Sequence, residues 1–204
     1  MLDPAIRLII AVGFTVLLIS AGGHKLTNRV RFGGILEAYK LIPVALVPAS
    51  VILLGVLELT LAFAWAVGWN VAWVALMTAL LLTLYAVAII INLIRGRSYI
   101  DCGCGFASSK NKFFERSNIQ QLSVTLVLRN VFLVACALLA TLPGTTRILG
   151  FMDYLGVVLA SIAIILLYSS YNQLLTNNNA IHSWRQTDGS VSYTHLTLPT
   201  KRIV

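Results

Sequence analysis

Two cysteines one residue apart are the chain's strongest candidate for chemistry. Cys102-Gly103-Cys104 follows Arg95-Gly96-Arg97-Ser98-Tyr99-Ile100-Asp101 and precedes Gly105-Phe106. A thiol reacts as its thiolate, which nearby positive charge stabilises and partial exposure makes reachable. Arg95 and Arg97 supply that charge along the sequence, and Lys25, expected on the same face, adds to it. Gly103 gives the backbone freedom to bring both sulfurs together. A ring closed across one residue is tight, and strained exposed disulfides are the labile, redox-active ones. Asp101 acts in the opposite sense, because a neighbouring carboxylate raises a thiol pKa. The spacing is read as a redox-active dithiol, with inert thiols or a structural bridge as the bland alternative. Structural zinc wants four ligands, and only Asp101 and His24 stand near the pair, so no metal site is expected. The third cysteine, Cys136, sits inside an apolar run, where a cysteine commonly acts as a small hydrophobe. The alternative is a resolving thiol, but 14 residues from Leu122 put it about 21 Å from that end of the run.

Two ionisable residues lie within other apolar runs: Glu58, and Arg129 beside Asn130. A charge at the bilayer centre costs roughly 2.5–3.5 kcal/mol on insertion scales, so such residues face the bundle interior and pair. Counted from the basic face, Glu58 is 14 residues in and Arg129 is 7 in, an offset of about 10 Å that long side chains nearly bridge. A structural ion pair, proton or quinone handling, and a protonated Glu58 are the three readings. His24, in Gly22-Gly23-His24-Lys25-Leu26, reads as an exposed interfacial histidine.

The elements that must position these residues are apolar. Of 204 residues, 58% are hydrophobic and 11% charged, with a mean hydropathy of +0.87. A soluble domain carries about 25% charged residues, so a soluble enzyme and a disordered chain are excluded. A bilayer core about 30 Å thick needs about 20 apolar residues per helix, and residues 5–22, 44–67, 71–94, 122–142 and 154–175 meet or approach that. No alternating pattern supports a β-barrel. The expected fold is all-α: a polytopic transmembrane bundle of about five helices, a four-helix core plus one. The lipid bilayer is the first partner. Trp65, Trp69 and Trp73 at the turn 68–70 read as an aromatic belt. Arg7, the apolar run behind it and Ser20-Ala21-Gly22 also resemble a signal peptide. Asp3 offsets Arg7, however, and the basic loop that follows suits a retained helix.

The net charge of +8 needs no nucleic acid to explain it. Lys25, Arg29, Arg31, Lys40, Arg95, Arg97, Lys110, Lys112, Arg116 and Arg185 fall on one face, ten against Arg7 and Arg147 on the other. The positive-inside rule then places the amino terminus outside and the basic loops in the cytoplasm. Past a polar tail at 177–190, Val191–Thr200 resembles the in-frame translation of a transposase sequencing adapter, so 191–204 are read as adapter read-through. Without Lys201 and Arg202 the net charge falls to +6.

Several of these residues together resemble the methylamine-utilisation protein MauE family, grouped with DoxX-like membrane proteins. They are Lys25-Leu26 with Tyr39 and Pro43, Glu58-Leu59, Arg95-Gly96-Arg97 with Cys102-Gly103-Cys104, and Arg129-Asn130. The Arg-Gly-Arg to Cys-Gly-Cys block is the specific part. The resemblance covers roughly residues 5–175 and gives 1–176 as one MauE-like transmembrane domain. Here Cys104 is followed by Gly105-Phe106, where the family block commonly continues Phe-Gly. The resemblance implies a bundle in the bacterial inner membrane that assists maturation of a periplasmic methylamine dehydrogenase, with a thioredoxin-like partner. The activity in view is thiol–disulfide exchange at Cys102 and Cys104. A DoxX-like quinone-linked subunit and a non-catalytic assembly or transport factor are the alternatives, and quinone is the one cofactor this kinship brings in. Periplasmic chemistry wants the thiols outside, whereas the charge bias puts them inside. A relay from a cytoplasmic donor, a loop folded back into the bundle, or the reverse orientation would each reconcile the two; the charge bias is given the greater weight.

Overall fold

The computed structural model describes residues 2–96, 124–145 and 147–188, from 175 onward as backbone alone. The Cys102/Cys104 pair, Arg97 and residues 191–204 lie outside the described residues. The described chain is helical: α1 (Pro4–Thr27), α2 (Arg29–Tyr39), a 3-10 turn (Val44–Leu46), α3 (Val47–Val67), α4 (Val71–Ile94), α5 (Val124–Leu139) and α6 (Phe151–Asp188). A single bridge, Leu2 to Gly144, is the extent of extended pairing among these residues. Four helices are long and apolar enough to cross a membrane, and α5 is a shorter apolar helix. The protein is a multi-pass, all-α membrane bundle whose outer faces carry large apolar side chains such as Leu53, Phe63, Leu80 and Leu84.

Local sequence sets most of the ends. Asp3 caps α1, its Oδ1 accepting from the Ala5 backbone N–H at 2.8 Å, with Pro4 in the first turn. Gly68 closes α3 at φ 71°, a conformation that costs glycine little. Past α5, 3-10-type hydrogen bonds over residues 137–142 lead to Pro143, so the helix ends three residues short of the expected 142. In α6 the apolar span, Phe151–Leu174, is followed by polar backbone that stays helical to Asp188.

The helices do not pack in chain order. α1 lies mainly against α3 and also contacts α6, and α4 lies against α5. The main core gathers Phe14 and Leu18 of α1, Leu61 and Trp65 of α3, and Leu82 of α4. Trp65 is 1% exposed. It stacks on Phe14 with 5.3 Å between ring centroids and donates from Nε1 to Thr78 Oγ1 at 3.0 Å. This corrects the aromatic-belt reading. Trp69 and Trp73 are exposed near the turn, but Trp65 lies one helical turn deeper and faces α1 and α4.

Helix α1 runs five residues past its expected end at Gly22, which carries Lys25 into its last turn. The basic stretch behind it is itself helical: Phe32 and Leu36 of α2 cover Val47 and Val51 of α3. Helix α3 therefore runs on past the end of α1, and α2 fills the space beside it. On the opposite face, Leu2 exchanges backbone hydrogen bonds with Pro143 and Thr145. Arg147 there bonds Asp3 at 3.3 Å and pairs with Asp153. The Asp153 hydrogen bond, with the charges of Asp153 and Asp3, holds the Arg147 guanidinium above its ordinary pKa. The amino terminus and the α5–α6 connector thus share one face, and α2, the 3-10 turn and the end of α4 share the other.

Candidate functional site

Two glycines make the site possible. Gly22 of α1 and Gly55 of α3 face each other where the helices cross. A Cβ added at Gly22 would lie 3.0 Å from the Gly55 carbonyl oxygen and 3.1 Å from Leu59 Cγ. A Cβ at Gly55 would lie 2.6 Å from Leu26 Cδ2. Small residues let two membrane helices approach closely. Three residues further along each helix, on the same face, come Lys25 and Glu58. We expect Gly22→Val to force the helices apart and cost about 1–3 kcal/mol, the range for overpacking. Gly23→Ala meets nothing within 4 Å and should gain up to about 1 kcal/mol from helix propensity. Thermal unfolding of the two variants in detergent distinguishes these outcomes; equal melting temperatures would reject the close-approach argument.

The crossing brings Lys25 Nζ to 2.5 Å from Glu58 Oε1, with both residues at most 2% exposed. Tyr85 of α4 donates its hydroxyl to the same Oε1 at 2.8 Å. The Lys25 ammonium also lies 5.0 Å from the Tyr85 ring centroid and 5.2 Å from that of Phe32, close enough for cation–π attraction. In a medium this poor in water a charged pair is tolerable only when its geometry is good and further hydrogen bonds serve it. Lys25 is therefore an interior residue at the depth of Glu58, not a loop charge available to distant thiols. This is a correction: the sequence after Gly22-Gly23 reads as interfacial, but the helix does not stop there. Without Lys25 the sequence count behind the expected orientation becomes nine Lys and Arg residues against two.

A cavity of about 200 Å³ opens beside the pair, enclosed by α1, α3, α4, α5 and α6. Its polar lining includes His24, Lys25, Glu58, Tyr85, Arg129 and Asn130. Glu58 and Arg129, singled out from sequence as intramembrane charges, thus face one chamber. Arg129 donates from Nη1 to Asn172 Oδ1 of α6 at 3.2 Å. His24 is half-buried on this lining and meets Asn28 Nδ2 at 3.1 Å, which replaces the exposed reading. Tyr85 and Asn172 were not anticipated. Both are polar residues inside apolar runs, and scanning those runs for hydrogen-bonding groups as well as charges would have found them. Cys136 is a half-buried free thiol packed against the main core. Arg95 is exposed directly after α4, and Gly96 follows at φ 70°. No group of three metal-ligating side chains occurs among the described residues.

Residues 3–143 match the family described as methylamine utilisation protein MauE. That span includes Lys25, Glu58, Tyr85, the cysteine pair, Arg129 and Asn130. A methylamine utilization protein MauE of Paracoccus versutus is 37% identical over 173 residues, covering 84% of this chain and 88% of the relative. The protein of the same name in Methylorubrum extorquens is 34% identical over 170 residues, covering 82% and 87%. That of Paracoccus denitrificans is 30% identical over 138 residues, covering 68% and 69%. No solved structure matches the chain.

Proposed function

Because the chain belongs to the MauE family of methylamine utilisation proteins, we propose that it assists maturation of a periplasmic amine dehydrogenase by thiol–disulfide exchange at Cys102 and Cys104. The observation that carries this reading is positional. Cys102-Gly103-Cys104 begins eight residues after α4 ends at Ile94, and in the sequence it lies between Arg95 and Arg97 on one side and Lys110, Lys112 and Arg116 on the other. Positive charge of that density favours the thiolate, the species that attacks a disulfide. In the exchange, a thiolate of a thioredoxin-like partner attacks one sulfur of the Cys102–Cys104 disulfide, and the other sulfur leaves as thiolate. The partner's second thiolate then resolves the mixed disulfide. Two electrons pass from the partner to the pair, and no other reactant enters that step. The charge bias orients this segment toward the cytoplasm of a bacterial inner membrane, so the pair acts as a relay serving an enzyme on the far side. Arg95 and Arg97 hold the thiolate, and the Lys25, Glu58 and Arg129 charges stay within the bundle.

The test is mixed-disulfide trapping combined with side-specific labelling. With one sulfur removed, as in Cys102→Ser or Cys104→Ser, the remaining thiolate can attack the disulfide of the oxidised partner in the reverse exchange, one partner sulfur leaving as thiolate, and no second sulfur of this chain is present to displace the partner. One of these variants should accumulate a reductant-sensitive adduct with a thioredoxin-fold protein. Membrane-impermeant thiol reagents should label the remaining cysteine in inverted vesicles and not in intact cells. Absence of an adduct from both variants would reject the exchange. A second reading, a non-catalytic assembly factor, is favoured by the buried Lys25–Glu58–Tyr85 cluster, which locks three helices without needing the thiols.

A further inference from the structure

We infer that α2 and the 3-10 turn behind it form a docking surface for an anionic phospholipid. The surface does not depend on thiol chemistry. Three observations carry it. The first is depth. Phe32 and Leu36 of α2 cover Val47 and Val51, which stand three and seven residues inside the membrane span that begins at Val44, about 5 and 10 Å along it. A helix held beside those residues lies where headgroups meet acyl chains, the depth that an in-plane membrane helix occupies. The second is the side turned away from α3. Val30, Gly34 and Ala38 recur at four-residue spacing, which places them on one helix face, and all three are exposed, Val30 at 93%. A helix facing water carries charge there, whereas Glu37 is the one charged residue beside them. Leu41, Val44 and Leu46 continue the exposed aliphatic surface into the 3-10 turn, where acyl chains find an apolar contact. The third is charge at the ends. Arg29 opens α2, Lys40 follows its last residue, and both are exposed. Arg29 donates from Nε to the Leu26 carbonyl oxygen at 2.9 Å, and neither cation has a carboxylate partner among the described residues. Arg31 is engaged within the protein and is not counted. Tyr39 and Leu93 belong to one packed cluster, so Lys40 shares its end of the bundle with the exposed Arg95. Against these cations stands Glu37, the sole carboxylate of residues 28–46. Phosphate oxygens at headgroup level complement them, and a headgroup of net negative charge does so without bringing a cation of its own.

Phosphatidylglycerol is the probe, titrated as mixed micelles against the full chain in a non-ionic detergent, with retained lipid counted by native mass spectrometry and melting temperature as the second readout. Phosphatidylcholine of the same chain length serves as the zwitterionic lipid, and glycerol phosphate as the headgroup without acyl chains. Phosphatidylglycerol should bind saturably and raise the melting temperature, phosphatidylcholine should be retained at least about fivefold more weakly, and glycerol phosphate should not displace the lipid. Arg29→Gln and Lys40→Gln should each weaken phosphatidylglycerol about fivefold, the effect of one cation near an anionic surface, and the double variant should lose the preference over phosphatidylcholine. Both positions are exposed, so the variants should fold. Glu37→Gln removes the opposing carboxylate and should strengthen binding. Arg7→Gln removes a cation from the opposite face and should leave the affinity unchanged, which separates a local surface from an effect of net charge. Equal retention of phosphatidylcholine, undiminished binding by the Arg29→Gln/Lys40→Gln variant, an equal loss in Arg7→Gln, or displacement by glycerol phosphate would each overturn the assignment.

Discussion

Glu58→Gln is expected to cost the bundle about 3–5 kcal/mol, the penalty for removing one partner of a buried ion pair. The substitution keeps an oxygen for the Tyr85 hydroxyl, which bonds Glu58 Oε1 at 2.8 Å, so the loss isolates the effect on Lys25. The ammonium then faces an amide in a site 2% exposed. Water does not replace the lost charge there, and the helix that carries Lys25 ends two residues later at Thr27. The double variant Lys25→Met/Glu58→Gln removes the stranded charge and should recover most of the loss, because an apolar pair of similar volume is often no worse than a buried ion pair. Melting temperatures of the parent, both single variants and the double variant form a double-mutant cycle. Coupling of at least about 2 kcal/mol is expected from a contact this short, and additivity within about 0.5 kcal/mol would show that the two residues do not act as a unit.

This pair also shows where the sequence is informative and where it is not. The spans are readable because lipid forces every backbone group to bond within its own segment, which turns each crossing into a long apolar run. Runs 44–67 and 71–94 coincide with the membrane spans of the structure. Glu58 and Arg129 stand out because charge inside such a run is costly, and the structure places both on one cavity. The partner of Glu58 is another matter. Lys25 is 33 residues away and follows two glycines, a pattern shared by helix ends and helix crossings. Composition cannot distinguish Gly22 as a terminus from Gly22 as a contact point; the 3.0 Å approach to the Gly55 carbonyl decides it. The same limit applies to Trp65. Its type and proximity to the turn suit an interfacial belt, whereas its fate is set by Phe14 and Thr78, residues on helices whose packing order no local pattern reveals. Asn130 and Tyr85 are short-range ambiguities of the same kind, since a polar side chain in an apolar run faces inward without saying what it meets.

The largest functional loss is expected from Cys102→Ser/Cys104→Ser, and it should come with no loss of the bundle. A serine hydroxyl forms neither a thiolate nor a disulfide, so exchange stops completely. Both positions fall between the runs 71–94 and 122–142, outside every apolar segment, and surface changes of this size are usually within about 0.5 kcal/mol. The double variant should accumulate in the membrane at parental levels, melt at the parental temperature and fail to support growth on methylamine, with the dehydrogenase left immature. Cys136→Ser should keep function, because that thiol packs against the main core and lies well away from the end of α5 nearest the pair. Glu58→Gln provides the opposite signature: function is lost because the protein is lost, and it should return with the Lys25→Met second change while the cysteine phenotype does not. Normal dehydrogenase maturation in the double serine variant would end the exchange mechanism and leave the assembly reading, in which the chain acts through its packed helices alone. The two phenotypes are separable because the two sites are: one is a sulfur pair beyond the end of α4, the other a charged cluster where α1, α3 and α4 meet.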